Sequence, residues 1–313
     1  MKYPKTITGL GEVLWDCYPD GKYLGGAPAN VVIHTQRLGE RGIVVSAVGQ
    51  DKLGDELIET LKKQQIETAY IQRCSNHPTG TVKIRLDKEG NPHFDCSRDV
   101  AFDFMEWQDP FEELARTTDV VLVGTLAQRN QTSFQTIQRF LKAASGAVKL
   151  FDINIRGWSE LTQWIVEETL PLVDVLKINV IELDHMLRAF WREEKESTHF
   201  LKWLVERYEL KLAVLSLGEK GCVITNGKTP IVSPGMKVKA VDTTGCGDGF
   251  LAGLIVKYLA HAPLEEMAEY ANYLGGFLAT RKGATPEYTM DELEQFISSH
   301  RERTKSEKPL WKS

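Results

Sequence analysis

Cysteine is scarce and shows no pairing pattern. The five thiols, Cys17, Cys74, Cys96, Cys222 and Cys246, are odd in number and contain no CxxC spacing. That argues against a disulfide scaffold and for a reduced, cytoplasmic protein. No apolar run approaches the roughly 20 residues that span a bilayer; the longest uncharged ones, Val120–Ala127 and Phe250–Val256, stop far short. Cationic excess is missing too. Lys and Arg total 38 against 43 Asp and Glu, a net charge of −5, with no basic stripe of the kind a general nucleic-acid binder needs. The opening MKYPKTITGLGEV lacks the apolar core of a secretory signal. Neither repeats nor low-complexity tracts occur. Two phosphate-binding motifs are also absent: there is no GxxxxGK[ST], and GLGEVL lacks the third glycine of a dinucleotide loop.

What is present is an ordinary globular composition, 42% apolar and 26% charged over 313 residues. At roughly 150 residues per domain that length fits two units or one large α/β domain. Short apolar runs alternate with amphipathic stretches. Gly42–Val48, Asp119–Gly124, Val148–Ile153, Val173–Ile178 and Leu212–Leu217 are nearly continuous apolar segments, the pattern of parallel strands covered on both faces. Residues 54–64, 133–144 and 181–191 carry helical spacing between them. The alternation predicts an α/β fold with a doubly wound, mainly parallel sheet flanked by helices.

Two segments break the alternation. Residues 12–25 hold a Pro-Asp-Gly turn between extended pieces, and 79–104 alternate Val82, Ile84 and Leu86 around a Glu-Gly-Asn turn. Both predict antiparallel strands outside the main sheet, a small β lid. Asn226-Gly227 marks a further tight turn, helices are expected over 247–260, 264–281 and 290–299, and the tail from His300 is expected to fray.

The sharpest chemical signal is Val241–Leu254, VDTTGCGDGFLAGL, a glycine-rich turn entering a helix. Gly245, Gly247 and Gly249 let backbone turn and approach a ligand, and the N–H groups at the helix head favour an anion. Asp248, in the first turn, serves either as a partner of the helix dipole or as the base for a hydroxyl attacking a phosphate held by those amides. Gly25–Asn30, GGAPAN, also opens a helix; Asn30 reads as a ligand contact or as a cap. In KINVIE, Asn179 and Glu182 sit three apart, either facing one ligand or forming a capping box. Arg156, in DINIR after an apolar strand, suits a phosphate, a sugar hydroxyl or a surface ion pair. LGEKG, 217–221, flanks a nucleotide or is simply a turn.

Taken in order, GGAPAN with Gly39 and Gly49 downstream, KINVIEL, LSLGEKG and DTTGCGDGFLAGL resemble the signatures of the ribokinase-like (PfkB) sugar kinases, over about Thr8 to Thr289. The resemblance implies one ribokinase-like kinase domain spanning 1–313, a β lid over the sugar, ATP and Mg²⁺ as cofactors, and K⁺ in many members. It implies Asp248 as base, with Gly245, Cys246, Gly247 and the Asp248 amide as the anion hole. Asp16, Gly26 and Asn30 would hold sugar hydroxyls. Lys177, Asn179 and Glu182 would serve phosphate and Mg²⁺, largely through water, and Gly218 and Gly221 would lie along ATP. Asp242 and Thr244, with backbone near Gly283, would form the monovalent-cation site. Cys246 stands where the signature usually has alanine; at a helix N-terminus its thiol is expected to have a lowered pKa and to be open to alkylation.

The GEVLWD opening, FDINIR and SRDVAFD with Arg98 are most similar to bacterial fructokinases, which implies phosphorylation of fructose at its 6-hydroxyl. Arg98 and Arg156 alternatively suit the carboxylate of a 2-keto-3-deoxygluconate kinase, and ribokinase is a further alternative. A non-catalytic sugar-binding protein would be expected to lose the base, and Asp248 is present. An oxidoreductase would need the missing third glycine. The expected partner is a small sugar, without nucleic acid or membrane, and a homodimer through the lid is expected from the hairpin residues Val82, Ile84 and Phe94.

Overall fold

The computed structural model describes residues 3–86, 92–191 and 197–306, and the chain divides into two units, Met1–Val173 and Asp174–Ser313. The Glu-Gly-Asn turn of the lid hairpin lies outside the described residues.

The first unit begins with β1 (Thr6–Leu10), the hairpin β2 (Leu14–Tyr18) and β3 (Gly21–Gly25), α1 (Ala27–Arg37), β4 (Arg41–Gly49), α2 (Lys52–Lys63) and β5 (Ile71–Cys74). It continues through β6 (Thr81–Leu86), β7 (Pro92–Cys96), α3 (Asp109–Thr117), β8 (Val120–Val123), α4 (Gln131–Ala143), β9 (Val148–Asp152) and α5 (Glu160–Thr169). Its main sheet runs β9-β8-β1-β4-β5, every pair parallel. Helical coverage of both faces explains why these strands read as unbroken apolar runs. Ile7, Val45, Val121, Val123 and Phe151 have no exposed surface. Over α3 and α4, Phe111 meets Trp107 and Phe140 edge to face at centroid distances of 5.9 and 6.3 Å, a geometry that adds about 0.5–1.5 kcal/mol per pair beyond area burial. Because the strands are parallel, their carboxyl ends share one edge, where polar loops are free to carry function.

The second unit holds β10 (Val175–Asn179), α6 (Val180–Phe190), α7 (Ser197–Tyr208), β11 (Leu212–Ser216), β12 (Gly221–Thr225), β13 (Ile231–Pro234), α8 (Cys246–Leu259), α9 (Leu264–Ala279) and α10 (Met290–Ser306). β10 and β11 are parallel, while β12 and β13 add antiparallel. The tail departs from expectation, since α10 stays helical to Ser306 instead of fraying from His300. The Phe296 and His300 rings meet within it at 4.1 Å, tilted by 32°.

The lid is a separate four-stranded sheet in the first unit, ordered β3-β2-β6-β7. Its two hairpins are antiparallel as expected, but β2 and β6 join in parallel. The expectation of antiparallel strands throughout fails there because β2 and β6 both leave the body in the same direction. Strand structure ends at Cys96, and Ala101–Phe104 is a 3-10 turn whose Asp103 carboxylate accepts the Val100 amide at 3.2 Å. Val82 is buried within the unit at 5% exposure, so it contributes nothing to an exposed hairpin face. The Ile84 and Phe94 side chains lie outside the described residues.

One carboxylate joins lid to body. Asp51 caps α2 by accepting the Gly54 amide at 2.8 Å, and it also takes the Thr79 amide (2.8 Å) and hydroxyl (2.6 Å) just before β6. Trp15 of β2 donates its indole N–H to Leu53 O at 2.9 Å on the same helix. Burial alone would raise Asp51; the Thr79 and Gly54 hydrogen bonds outweigh it and hold the carboxyl below its ordinary 3.8. A group depressed in the folded state stabilises the fold above its unfolded pKa and loses that contribution as pH falls through the folded one. Stability to urea is therefore expected to decline as the pH drops below about 4. Asp51→Asn should flatten part of that decline, and an unchanged slope would remove Asp51 as a source.

Candidate functional site

In the second unit, the glycine-rich turn is held by Asp242. Its carboxylate accepts the Thr244 amide on one oxygen and the Gly283 amide on the other, both at 2.9 Å. The three residues of the expected cation site are thereby brought together. Gly245 follows in the left-handed region at φ 76° and begins α8. A Cβ there would sit 2.6 Å from the Ala284 backbone, so both the conformation and the space require glycine.

Asp248 lies in the first turn of α8, 8% exposed. Gly247 precedes it, and a Cβ there would be 3.5 Å from Nζ of Lys177, the penultimate residue but one of β10, itself 5% exposed. A buried ammonium thus stands beside the N-terminal amides of a helix, two sources of positive potential at one place. The Cys246 amide turns back to Thr243 O at 3.2 Å, leaving Gly247 and Asp248 at the positions where a helix presents N–H groups to a ligand. Gly249 also has a packing task. A Cβ on it would strike Leu278 at 2.2 Å, and one on Gly275 would lie 3.1 Å from Cys246 O. These glycines let α8 and α9 pack closely.

Asn179 and Glu182 form the capping box that their spacing allowed. Asn179 Oδ1 accepts the amides of Ile181 (2.9 Å) and Glu182 (3.0 Å), and Glu182 Oε2 accepts the Asn179 amide at 2.8 Å. Glu182 is fully buried. Gly218 starts an exposed 3-10 turn with open space around it. Gly221 is glycine because a Cβ would meet Ser233 O at 2.1 Å, which is a demand of β13 pairing.

In the first unit, Asp16 sits on β2 opposite Tyr23 and curls over Gly25, where a Cβ would come within 2.3 Å of its Oδ2. Gly26 caps α1 at φ 105°, with Glu12 O filling the place of a side chain. Asn30 is therefore not the cap; it is buried in the first turn of α1, its amide bonded to Gly26 O at 2.9 Å. Val82 is cross-strand neighbour of both Asp16 and Cys96, which sets the three in one row. The Cys96 thiol is pushed up by burial, opposed by Arg156 and Arg129 and reinforced by Glu12 and Asp16. Arg156 is exposed and donates to Asn154 Oδ1 at 2.9 Å; Arg98 is also exposed, on the loop after β7. Glu12, 2% exposed, and Arg129 escaped the sequence reading. Glu12 carried the one available signal, a charge between Gly11 and the apolar Val13-Leu14-Trp15.

Among the described residues, no group of three or more His, Cys, Asp or Glu is placed to hold a metal ion, and no helix is long and apolar enough to cross a membrane.

The Cys246 thiol reverses the expectation of a lowered pKa. Burial first, then the carboxylates of Asp242 and Asp248, push it up to about 12, outweighing a hydrogen bond from its own backbone. Thiolate is the nucleophile, so iodoacetamide at neutral pH is expected to leave Cys246 unmodified in the native protein and to modify it after unfolding. Rapid native labelling, read by peptide mass spectrometry, would overturn this.

The chain is similar to known proteins in sequence and in fold. The pfkB family carbohydrate kinase pattern matches residues 16–290. A sugar kinase from Pyrococcus horikoshii is 30% identical over 283 residues, covering 88% of this chain and 86% of that one. The structure of fructokinase from Vibrio cholerae O395 with fructose, ADP and calcium is 26% identical at a TM-score of 0.80, covering 94% and 99% of the two chains. An Escherichia coli structure bearing the name Ribokinase II has a TM-score of 0.85 over 95% and 100% of the chains; at 21% identity it speaks for the fold alone. The fold is ribokinase-like, with mostly parallel strands, flanking helices and a small separate sheet, and the chain belongs to the PfkB family of carbohydrate kinases.

Proposed function

We propose that this carbohydrate kinase transfers the γ-phosphate of ATP to the 6-hydroxyl of fructose, with Asp248 as the base. The observation that carries this reading is a buried carboxylate in the first turn of α8, beside a buried lysine and a left-handed glycine turn. Phosphoryl transfer asks mainly for alignment and charge stabilisation. The Gly247 and Asp248 amides, with Gly245 and with Cys246 shared between Thr243 and the ligand, receive the transferring phosphoryl oxygens. Lys177 adds its charge to the same oxygens. Asp248 takes the proton from the attacking hydroxyl, a contribution of about 10²–10⁴ in rate.

Asp16 and Asn30 accept from or donate to sugar hydroxyls, and Gly26 lets the backbone approach. Gly218, in open space, suits the nucleotide. Mg²⁺, when bound with ATP, neutralises phosphate charge and fixes the γ-phosphoryl direction. The chain offers that ion the Asn179–Glu182 turn, acting through water because Glu182 is buried in its capping box. The Asp242 turn fits a monovalent cation, since its carboxylate already gathers the Thr244 and Gly283 segments. Fructose is favoured over a keto-acid because Arg156 is held by Asn154 at the surface and because the Vibrio cholerae fructokinase structure contains fructose.

A coupled ADP-release assay with Mg·ATP, run on fructose, 2-keto-3-deoxygluconate, ribose and adenosine with and without K⁺, tests the reading. Turnover on fructose is expected, and preference for the keto-acid would overturn the sugar assignment. Asp248→Asn should lower kcat by about 10²–10⁴ with sugar binding largely kept; retention of more than a tenth of kcat would remove Asp248 from its role. Asp16→Ala should act instead on sugar affinity, costing about 2–4 kcal/mol if two buried hydroxyls lose their acceptor. For the cation turn, K⁺ is expected to raise the melting temperature of the wild type more than that of Asp242→Asn, a readout independent of turnover.

A further inference from the structure

Arg129 stands just beyond the carboxyl end of β8, after a 3-10 turn at Leu126–Gln128. Its pedestal is rigid. Gln128, 1% exposed, donates to Gly124 O at 2.8 Å and accepts from Gln138 at 3.1 Å and from the Thr169 hydroxyl at 3.2 Å. From there the guanidinium makes a fork. Nε and Nη2 donate to the two oxygens of Asp103, each at 2.8 Å, and Nη2 also donates to the carbonyl of Ser97. Its face covers the Phe102 ring at 5.2 Å. The Asp103 side chain is 3% exposed and that of Arg129 20%, so the pair is shielded from water.

Ser97 is the residue at which β7 returns to the body. Its amide donates to Thr81 O at 2.9 Å, its hydroxyl meets the Thr81 hydroxyl at 2.7 Å, and that hydroxyl also accepts the Thr81 amide at 3.2 Å. Thr81 begins β6. Arg129 thus grips the stem of both lid strands, one residue from Cys96 and hence one row-mate from Val82 and Asp16.

We propose that Arg129 is a positioning residue for the sugar half of the reaction: through Asp103 and the Ser97 carbonyl it fixes the stem of β6 and β7, and thereby the row Asp16–Val82–Cys96 that faces the sugar. The proposal rests on the sugar-kinase reading above. A planar fork is required, since a lysine ammonium offers charge without two parallel bonds.

Arg129→Lys is the test, because it keeps the positive charge that acts on Cys96 while removing the fork. The KM for fructose should rise about tenfold, as expected for losing one charge-assisted hydrogen bond, with the KM for ATP nearly unchanged. Site-resolved alkylation of Cys96 in the sugar-free protein should be faster than in the wild type, at one alkaline pH, as the stem loosens. Asp103→Asn, which retains shape and removes the charge pair, should reproduce both effects. Circular-dichroism melting establishes that each variant is folded. Unchanged sugar KM and unchanged Cys96 labelling in folded variants would overturn the proposal, as would a parallel rise of both KM values with a lowered melting temperature, which marks a merely structural role. Should the wild type turn over none of the sugars tried, the substrate reading falls. The Cys96 labelling ratio then decides the role of Arg129 alone: acceleration upholds it and equality ends it.

Discussion

One carboxylate organises the functional end of the second unit. Asp242 binds Thr244 with one oxygen and Gly283 with the other, and the turn it fixes leaves Gly245 in a conformation that side chains rarely adopt. α8 starts where that turn releases the chain. Asp248 is buried because it belongs to the first turn of a helix packed closely on α9 through Gly249 and Gly275. Lys177 comes to the same place from β10. Backbone amides, a buried ammonium and a buried carboxylate are thus set before any ligand arrives, which is how electrostatic stabilisation avoids reorganisation during reaction.

The first unit uses carboxylates in the same way, to tie loops together. Asp51 fixes the entry to the lid, and Asp103 with Arg129 fixes its return. Buried charge is costly unless paired and hydrogen-bonded, and both groups meet that condition with several partners. Asp16 lies on the neighbouring strand β2, opposite Val82 of β6 and over a glycine that leaves room for its carboxylate. The thiols lie within these frames as passive members: burial raises Cys96, Cys222 and Cys246 alike.

Much of this was legible from the residues. Continuous apolar runs marked the parallel strands, since both faces are covered; Asn179 and Glu182 announced a capping box by spacing alone; and the glycine-rich turn before an apolar helical stretch marked α8. Other features showed only in three dimensions. Gly249 and Gly221 meet a packing demand of a neighbouring helix and a neighbouring strand, which no local pattern announces. Cys246 looked activated by a helix terminus, yet desolvation and two carboxylates act more strongly. Asn30 looked like a cap, and Gly26 took that position because its φ of 105° turns the chain one step earlier.

The sequence by itself determined the alternation of strands and helices, the family signatures and the place of Asp248 in the first turn of a helix, because each depends on neighbours within a few positions along the chain. Tertiary structure alone decided that Arg129 holds Asp103 and Ser97, that Glu12 joins Asp16 around Cys96, that β2 pairs in parallel with β6, and that Lys177 stands beside Gly247. Those relations join residues 26 to 84 positions apart and depend on how strands register and which oxygen remains to accept a bond, quantities that no local pattern encodes.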